Sequence, residues 1–210
     1  MPNVTPRYTR RNVLRGQAQV WLRPFDPAIT DYTTLLVDDD LPINGDWQAV
    51  PTGGSPLWKP IGATSGGVTM RFTRETTDIT VEEQVNPVDV ATNSLDPRIE
   101  ATLAEDTLQT MLWAYGGGSI DTVAATVSEY GYSDLTISDE LDHLMLGLEG
   151  VNDQGLPRRV IWPDVLSVAE VETAYRRSET QRLYAVSFRM VNPLSDMIIH
   201  NIDAAPTGSS

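Results

Sequence analysis

The amino-acid sequence predicts a mainly β fold with one short flanking α-helix. Apolar and polar side chains alternate through residues 68–73, 78–82 and 98–103, which is the pattern of strands with one buried face and one face in water. From residue 108 to 115 the apolar spacing changes to i, i+3, i+4, i+7, which is the pattern of an amphipathic helix. We therefore expect a sheet with one helix packed against it.

The predicted helix has signals at both ends. Glu105 and Asp106 precede it, where the positive end of the helix dipole favours acidic side chains, and Gly116 follows it as a left-handed cap. A helix of about ten residues is not stable alone in water, so its apolar stripe must pack against the sheet. The stripe residues expected in the core are Leu108, Met111 and Leu112.

The chain before the central sheet predicts one strand and a long inter-strand loop. Residues 17–23 have the composition of a strand. From about residue 24 to 60, six prolines interrupt regular structure. The triplet Asp38, Asp39 and Asp40 in this loop lacks the ligand spacing of an EF-hand, so calcium binding is not expected there.

The second half of the chain predicts further strands. Residues 119–138 indicate either a strand or an insertion. Residues 141–151 and 158–162 predict a hairpin that ends at Pro163, and residues 182–191 predict the last strand. The last-strand residues expected in the core are Tyr184, Val186, Phe188 and Met190.

Composition excludes several classes of function. The 210 residues are enough for one sizeable core, so a single domain is the default expectation. The absence of cysteine excludes a disulfide framework and a thiol nucleophile. The net charge of −14 opposes general binding to the DNA backbone. Because no apolar run resembles a signal peptide or a membrane span, we expect a soluble protein made in a cytoplasm.

The sequence contains no recognisable catalytic machinery. Its histidines are His143 and His200. Neighbouring residues on a strand point to opposite faces, so Asp142 and His143 would not converge on one metal ion. No nucleophile elbow, phosphate-binding loop or metalloprotease helix occurs. We therefore expect no enzyme activity, no catalytic or metal site and no cofactor.

Charge is segregated along the chain. Positions 1–20 hold four arginines and no acidic residue, whereas positions 121–153 hold eight acidic residues and no Lys or Arg. The expected division is an N-terminal arm at 1–15, a β domain at 16–192 and a flexible C-terminal tail at 193–210. The basic arm would suit an acidic surface on a neighbouring copy, and a solvated tail and a solvated face are the alternative.

Two segments carry a resemblance to a known family. Residues 79–89 form a strand pattern that contains a Glu-Gln element and leads into a short loop, and residues 98–108 run through a second strand into the helix. This order resembles the major tail tube proteins of long-tailed, siphovirus-type bacteriophages. The resemblance implies a β-sandwich or split-barrel protomer, six of which close a ring. The rings would stack into a tube whose inner strands line a channel for DNA.

The resemblance also implies partners and a location. The chain would bind copies of itself and contact tape measure, terminator and distal tail proteins. DNA would pass through without specific binding, and no membrane would be bound. The protein would be assembled in the host bacterial cytoplasm and reside in the virion tail.

The same resemblance suggests that a polar face of the central strands lines the channel. If Ile79, Val81 and Val85 face the core, the polar residues that alternate with them share the opposite face. An acidic lumen would keep DNA from adhering, and an ordinary exterior surface is the alternative. The lumen-facing candidates are Arg71, Thr73, Asp78, Thr80, Glu82, Gln84, Arg98 and Glu100.

Contacts between subunits or rings are expected from the arm and the long loop. Aromatic residues are enriched at interface cores, although Trp47 and Trp58 are equally suited to the core of their own protomer. The candidates for inter-ring or inter-subunit contacts are Arg7, Arg10, Arg11, Arg15, Asp38, Asp39, Asp40, Trp47 and Trp58.

Two other functions fit the same sequence. One is another ring protein of the same fold family, either a tail terminator or a distal tail protein. The other is a β-sandwich carbohydrate-binding module, in which an exposed Trp21, Trp113 or Trp162 would stack on sugar rings.

Overall fold

A computed structural model describes residues 18–35, 58–80, 86–151, 157–171, 183–192 and 196–201. The fold is mainly β with one short α-helix, as the sequence pattern predicts. The chain forms two compact units, and each combines segments that are distant in sequence. The first comprises the described parts of Met1–Gly62, His143–Val165 and Ser195–Ser210, and the second those of Ala63–Asp142 and Leu166–Leu194. Among the described residues, no helix is both long and apolar enough to cross a membrane.

The described residues form ten strands and one α-helix. In chain order these are β1 (Gln19–Pro24), β2 (Lys59–Pro60), β3 (Thr64–Ile79), β4 (Asp89–Leu103), α1 (Leu108–Tyr115), β5 (Gly118–Val123), β6 (Tyr132–Ile137), β7 (Leu144–Val151), β8 (Pro157–Ser167), β9 (Tyr184–Met190) and β10 (Ile198–Asn201). One turn of 3-10 helix lies at Tyr32–Leu35. The strand pairs discussed below are all antiparallel.

The first unit is a sheet in the order β2, β1, β7, β8 and β10. The strand predicted at residues 17–23 is β1, and the predicted hairpin is formed by β7 and β8. The long loop predicted at about 24–60 contributes the 3-10 turn and β2, while its residues 36–57 lie outside the described part of the chain. The buried cluster of this unit contains Trp21, Trp58, Met145 and Ile161.

Strand β8 does not end at Pro163, which corrects the expectation from the sequence. It continues to Ser167, and the register of its pairing with β7 shifts near its middle. At the shift, Pro163 and Asp164 lie opposite the single residue Met145, so the strand forms a β-bulge. A proline is tolerated at a bulge because its missing N–H costs no ladder hydrogen bond there.

The tail predicted at residues 193–210 contributes a strand to the sheet. Its residues Ile198–Asn201 form β10, which pairs with β8. The backbone of β8 supplies the hydrogen-bonding partners, and Ile198 packs against the buried cluster of the first unit. These four residues are therefore held by their pairing with β8. The end of the tail, for which flexibility is expected unless a neighbour orders it, lies outside the described residues.

The second unit is built on a sheet in the order β9, β4 and β3. The two strands predicted at 68–73 and 78–82 belong largely to one long strand, β3, whose described part ends at Ile79. Residues 81–85 lie outside the described part of the chain. The last strand is β9, and its four predicted core residues are buried, which confirms the alternation: Tyr184, Val186, Phe188 and Met190.

The helix α1 has the predicted bounds, and Glu105 and Asp106 precede it as expected. Thr107 is its N-cap, and the Thr107 hydroxyl accepts a hydrogen bond of 3.0 Å from the Thr110 N–H. Neither Glu105 nor Asp106 lies in the first turn. Asp106 instead accepts a hydrogen bond of 2.7 Å from the Tyr184 hydroxyl, so this carboxylate fastens the chain before the helix to β9.

The buried side of α1 is also not the predicted stripe. The side chains buried most deeply are those of Thr110, Trp113 and Ala114, whereas the expected core residues Leu108, Met111 and Leu112 are only half-buried. The Thr110 hydroxyl is tolerated inside because it lies 2.9 Å from Thr107 Oγ1. Gly116 ends the helix in the left-handed conformation, as predicted.

The segment 119–138, which the sequence left open, is a two-stranded hairpin of β5 and β6. Nearly all of its side chains are exposed. The segment is therefore an insertion that consists of two strands, so both of the alternatives from the sequence, a strand and an insertion, apply to it.

Candidate functional site

The hairpin of β3 and β4 is a long exposed feature of the second unit. The strands pair from Thr64 to Ile79, and nearly every side chain of β3 is exposed. Gly66 and Gly67 both have a φ of 86°, in the left-handed region that favours glycine, where the pairing is irregular before Val68. Because most of β3 gains little burial from its own chain, both faces of this hairpin are available to other molecules.

One face of the hairpin carries three arginines side by side. Arg71 of β3 lies opposite Arg98 of β4, and Arg98 lies opposite Arg189 of β9. Like charges directly opposite each other destabilise a sheet, so these guanidinium groups need acidic partners. We call this side of the three strands the charged face.

Two carboxylates compensate the three arginines. Arg98 Nε donates a hydrogen bond of 2.8 Å to Asp96 Oδ2, and Arg189 Nε lies 2.9 Å from Asp96 Oδ1. Arg71 Nη2 lies 3.3 Å from Glu100 Oε2. All of these side chains are partly exposed, so each pair contributes about 1 kcal/mol or less to stability. Their main effect is to fix the direction of each arginine.

The structure places the lumen-facing candidates on two faces rather than one, which corrects the expectation of a single polar face. β3 runs without interruption to Ile79, because the extra residue of the hairpin bulge is Asn93 of β4. Alternation along β3 therefore puts Asp78 on the side opposite Arg71. The candidates on the charged face are Arg71, Thr73, Arg98 and Glu100. Thr80 is exposed just after β3, and Glu82 and Gln84 lie outside the described residues.

The opposite side of the hairpin, which we call the apolar face, continues from the core into solvent. At the end near β9, Ile99 is fully buried opposite Phe188. On β3, Met70 and Phe72 lie on the same side and are 36% and 41% exposed. At the far end of the hairpin, Val90 lies on this face opposite Asp78 and is exposed, whereas the exposed Ile79, which pairs with Asp89, lies on the side of Arg71. Exposed apolar surface of this kind marks sites of protein contact.

Strand β3 also forms an edge of its sheet. Within the part of the chain that the structure describes, it pairs with β4 alone. A long edge strand offers N–H and C=O groups to a strand of another chain. Charged side chains along an edge restrict which partner can pair, and β3 carries Arg71, Arg74, Glu75 and Asp78.

The candidate subunit contact that the structure describes is Trp58. It is buried beside Trp21 in the first unit, and Arg23 Cζ lies 5.7 Å from the centre of its ring. Burial lowers the pKa of Arg23, and Asp26 at 3.7 Å partly offsets this. This position favours packing in its own protomer over an interface role. The candidates outside the described residues are Arg7, Arg10, Arg11, Arg15, Asp38, Asp39, Asp40 and Trp47.

The tryptophans required by the carbohydrate-binding alternative are buried. The exposed fractions are 5% for Trp21, 6% for Trp113 and 0% for Trp162. A buried indole cannot stack on a sugar ring. The structure therefore removes the stacking surfaces on which that alternative depended.

One polar pair was missed from the sequence. His143 Nδ1 lies 2.7 Å from Asp164 Oδ1, and the carboxylate is buried while the ring is half exposed. Asp164 turns inward because it belongs to the bulge of β8, and only its position after Pro163 hinted at this. Among the described residues, no three potential metal ligands come together. The contact joins the bulge of β8 to the residue that precedes β7.

No model of a known protein family matches this chain, and no curated protein sequence matches it.

Proposed function

We propose that this chain is the structural subunit of a bacteriophage tail tube, in which hexameric rings stack into a hollow tube that conducts the DNA genome to the host cell. The observation that carries this proposal is the exposure of the β3–β4 hairpin on both faces, including apolar side chains such as Met70 and Val90. A hairpin of this kind is stabilised by copies of the same chain that cover its apolar face and its edge. The exposed apolar face and the edge strand of each protomer would thus be covered only within the assembly.

The charged face suits the wall of a channel for DNA. It carries Arg71, Arg98 and Arg189 together with Asp96 and Glu100, and Glu75 lies on the same side of β3. Asp89 of β4 pairs with Ile79 on the same side, so the face carries three basic and four acidic side chains and has no positive charge in excess with which to hold phosphates. The net charge of −14 for the whole chain further opposes adhesion of DNA.

The proposed fold is a β-sandwich or split barrel of the tail tube type, and its proposed partners follow from the function. These are copies of the same chain, the tape measure protein, the terminator and the distal tail protein, with DNA present only in transit. We propose no enzyme activity, no cofactor and no membrane partner. Assembly in the host bacterial cytoplasm and residence in the virion complete the proposal.

A tail terminator or a distal tail protein is the nearest alternative, because each also forms a ring of this fold family. The long loop at about 24–60 and the terminal segments favour the tube subunit, since stacked rings need extended contacts between layers. The carbohydrate-binding module has less support because its proposed tryptophan platforms are buried.

Electron microscopy of the purified protein in negative stain tests the proposal. We expect rings or tubes with a central hole, and single rings without stacking would favour the terminator. The variant Met70→Glu with Val90→Glu should keep the circular dichroism spectrum but lose the rings, because both side chains lie on the apolar face. The control Thr73→Glu on the charged face should still assemble. Particles of single-copy size at every protein concentration would overturn the proposal.

A further inference from the structure

The hairpin of β5 and β6, residues 118–137, presents exposed aromatic and apolar side chains at its tip. We call this hairpin the finger. Val127 is fully exposed, Tyr130 is 95% exposed and Tyr132 is 57% exposed. A tyrosine exposed to this extent makes almost no contact with its own chain, although its ring can bury about 150–250 Å² in a partner.

The tip of the finger is held in one conformation. The Thr126 N–H donates to the Glu129 carbonyl at 3.0 Å, and the Glu129 N–H donates back to the Thr126 hydroxyl at 3.1 Å. Thr122 and Ser133 are joined across the strands by a hydroxyl contact of 2.9 Å. The finger therefore presents Tyr130 without the entropy cost that ordering a flexible loop would add to binding.

The base of the finger is fixed to the second unit. The Gly118 N–H donates to Asp142 Oδ2 at 3.1 Å, and the Ser138 N–H donates to the Gly117 carbonyl at 3.2 Å. The finger carries three acidic side chains and no basic one: Asp121, Glu129 and Asp134. The finger is thus hydrogen-bonded to the second unit at its base, has apolar and aromatic side chains at its tip, and is negatively charged.

A groove in the same unit has the complementary character. It encloses about 460 Å³, and its only charged lining residue among those the structure describes is Arg189. Arg189 lies 2.9 Å from Asp96 through Nε, and its side chain is 53% exposed. The apolar lining residues are Leu95, Pro97, Leu166, Val168, Met190 and Val191.

We propose that the finger of one copy inserts into this groove on a second copy, with Tyr130 against the apolar lining and Glu129 near Arg189. The occupant is a second copy because the exposure of Tyr130 shows that the finger does not fill the groove of its own chain. The acidic finger and the basic residue at the groove are complementary in charge. The contact uses two different surfaces, so it is head-to-tail and closes into a ring or continues as a filament.

This inference deepens the proposed function and rests on it only in that the partner is another copy of the chain. Tyrosine is enriched among the few residues that carry most of the binding energy at an interface. Tyr130→Ser should therefore weaken self-association by about tenfold. Tyr130→Phe should retain most of the affinity, because it keeps the ring. Glu129→Lys should weaken the association, and more strongly at low salt.

Cysteine crosslinking between copies tests the contact directly, because the chain has no cysteine of its own. One preparation carries Tyr130→Cys, a second carries Val191→Cys, and the two are mixed and treated with a short bis-maleimide. We expect a crosslinked dimer that contains both variants. The control Ala185→Cys, which is exposed on β9 but does not line the groove, should give little crosslinking with Tyr130→Cys.

The outcomes separate this inference from the proposed function. Two results together would overturn the inference while leaving the tail tube proposal in place. These are normal rings or tubes from Tyr130→Ser and no crosslink between Tyr130→Cys and Val191→Cys. A crosslink with loss of association in Tyr130→Ser, but without rings or tubes in the microscope, would support the inference and contradict the tail tube. A protein that stays monomeric at all concentrations would overturn both.

Discussion

Arg71 and Arg98 face each other across neighbouring strands of the β3–β4 hairpin, and each is engaged by a different carboxylate. Arg71 Nη2 lies 3.3 Å from Glu100, while Arg98 Nε bonds to Asp96 at 2.8 Å. The arrangement lets like charges occupy opposed positions in a sheet, where they would otherwise repel. The hairpin therefore depends on its acidic residues for its shape as well as for its charge.

Removing the carboxylate shared by two arginines tests this dependence. We expect Asp96→Asn to lower the free energy of unfolding by about 1 to 2 kcal/mol, because Arg98 and Arg189 both lose a charged partner. Urea denaturation followed by circular dichroism measures the change. Glu75→Gln is the matched control, since Glu75 lies on the same face but contacts the Ser94 hydroxyl rather than an arginine. Equal stability of the two variants would contradict the role of Asp96.

A glycine at the base of the finger is required by the backbone. Gly118 has a φ of 140°, and a Cβ atom there would lie 2.1 Å from the Thr136 carbonyl oxygen. Gly118→Ala should therefore destabilise the protein by about 2 kcal/mol or more. Gly150→Ala is the control, because nothing lies within 4 Å of its added Cβ and its φ is not positive. Thermal unfolding of both variants tests this, and an unchanged midpoint for Gly118→Ala would contradict the close approach.

The N-cap of α1 gives a third prediction. Thr107→Ala removes the hydroxyl that accepts from the Thr110 N–H, so the free energy of unfolding should fall by about 1 kcal/mol. It also leaves the buried Thr110 hydroxyl without the neighbour at 2.9 Å. Thr107→Ser keeps the cap and should lose much less stability. A loss of similar size in both variants would show that the methyl group, and not the hydroxyl, matters.

Sequence periodicity predicted the strands and the helix where one face of an element is buried against its own chain. In β9 each alternate side chain from Tyr184 to Met190 is buried in the core, so the alternation in the sequence matches the burial in the structure. The faces of the β3–β4 hairpin could not be predicted in the same way, because the bulge at Asn93 lies in the partner strand. The position of Asp164 likewise depends on how β7 and β8 pair, which is a tertiary property.

The same distinction explains the helix. A helical stripe from Leu108 to Leu112 fits one side of a cylinder, but the Thr107 cap brings Thr110 inside and leaves the stripe half-buried. The sequence contained the capping threonine, yet two acidic residues beside it offered the same kind of signal. When adjacent residues can all cap a helix, the sequence alone does not indicate which one does so, because the choice depends on the tertiary contacts of each residue.

The charge of the face proposed to line the channel can be reversed without disturbing the core. Glu100→Lys changes the charge of the charged face by two units, so this face becomes basic and should bind DNA phosphates. We expect tubes to form as before but to retain DNA, with retention that falls steeply as the salt concentration rises. DNA release from particles carrying the variant, measured with an intercalating dye at several salt concentrations, tests this expectation. Asp139→Lys is the matched control, because it makes the same change of charge at an exposed position outside the three strands and should leave release unchanged. Equal release of DNA from particles of the two variants would contradict the charged face as the wall of the channel.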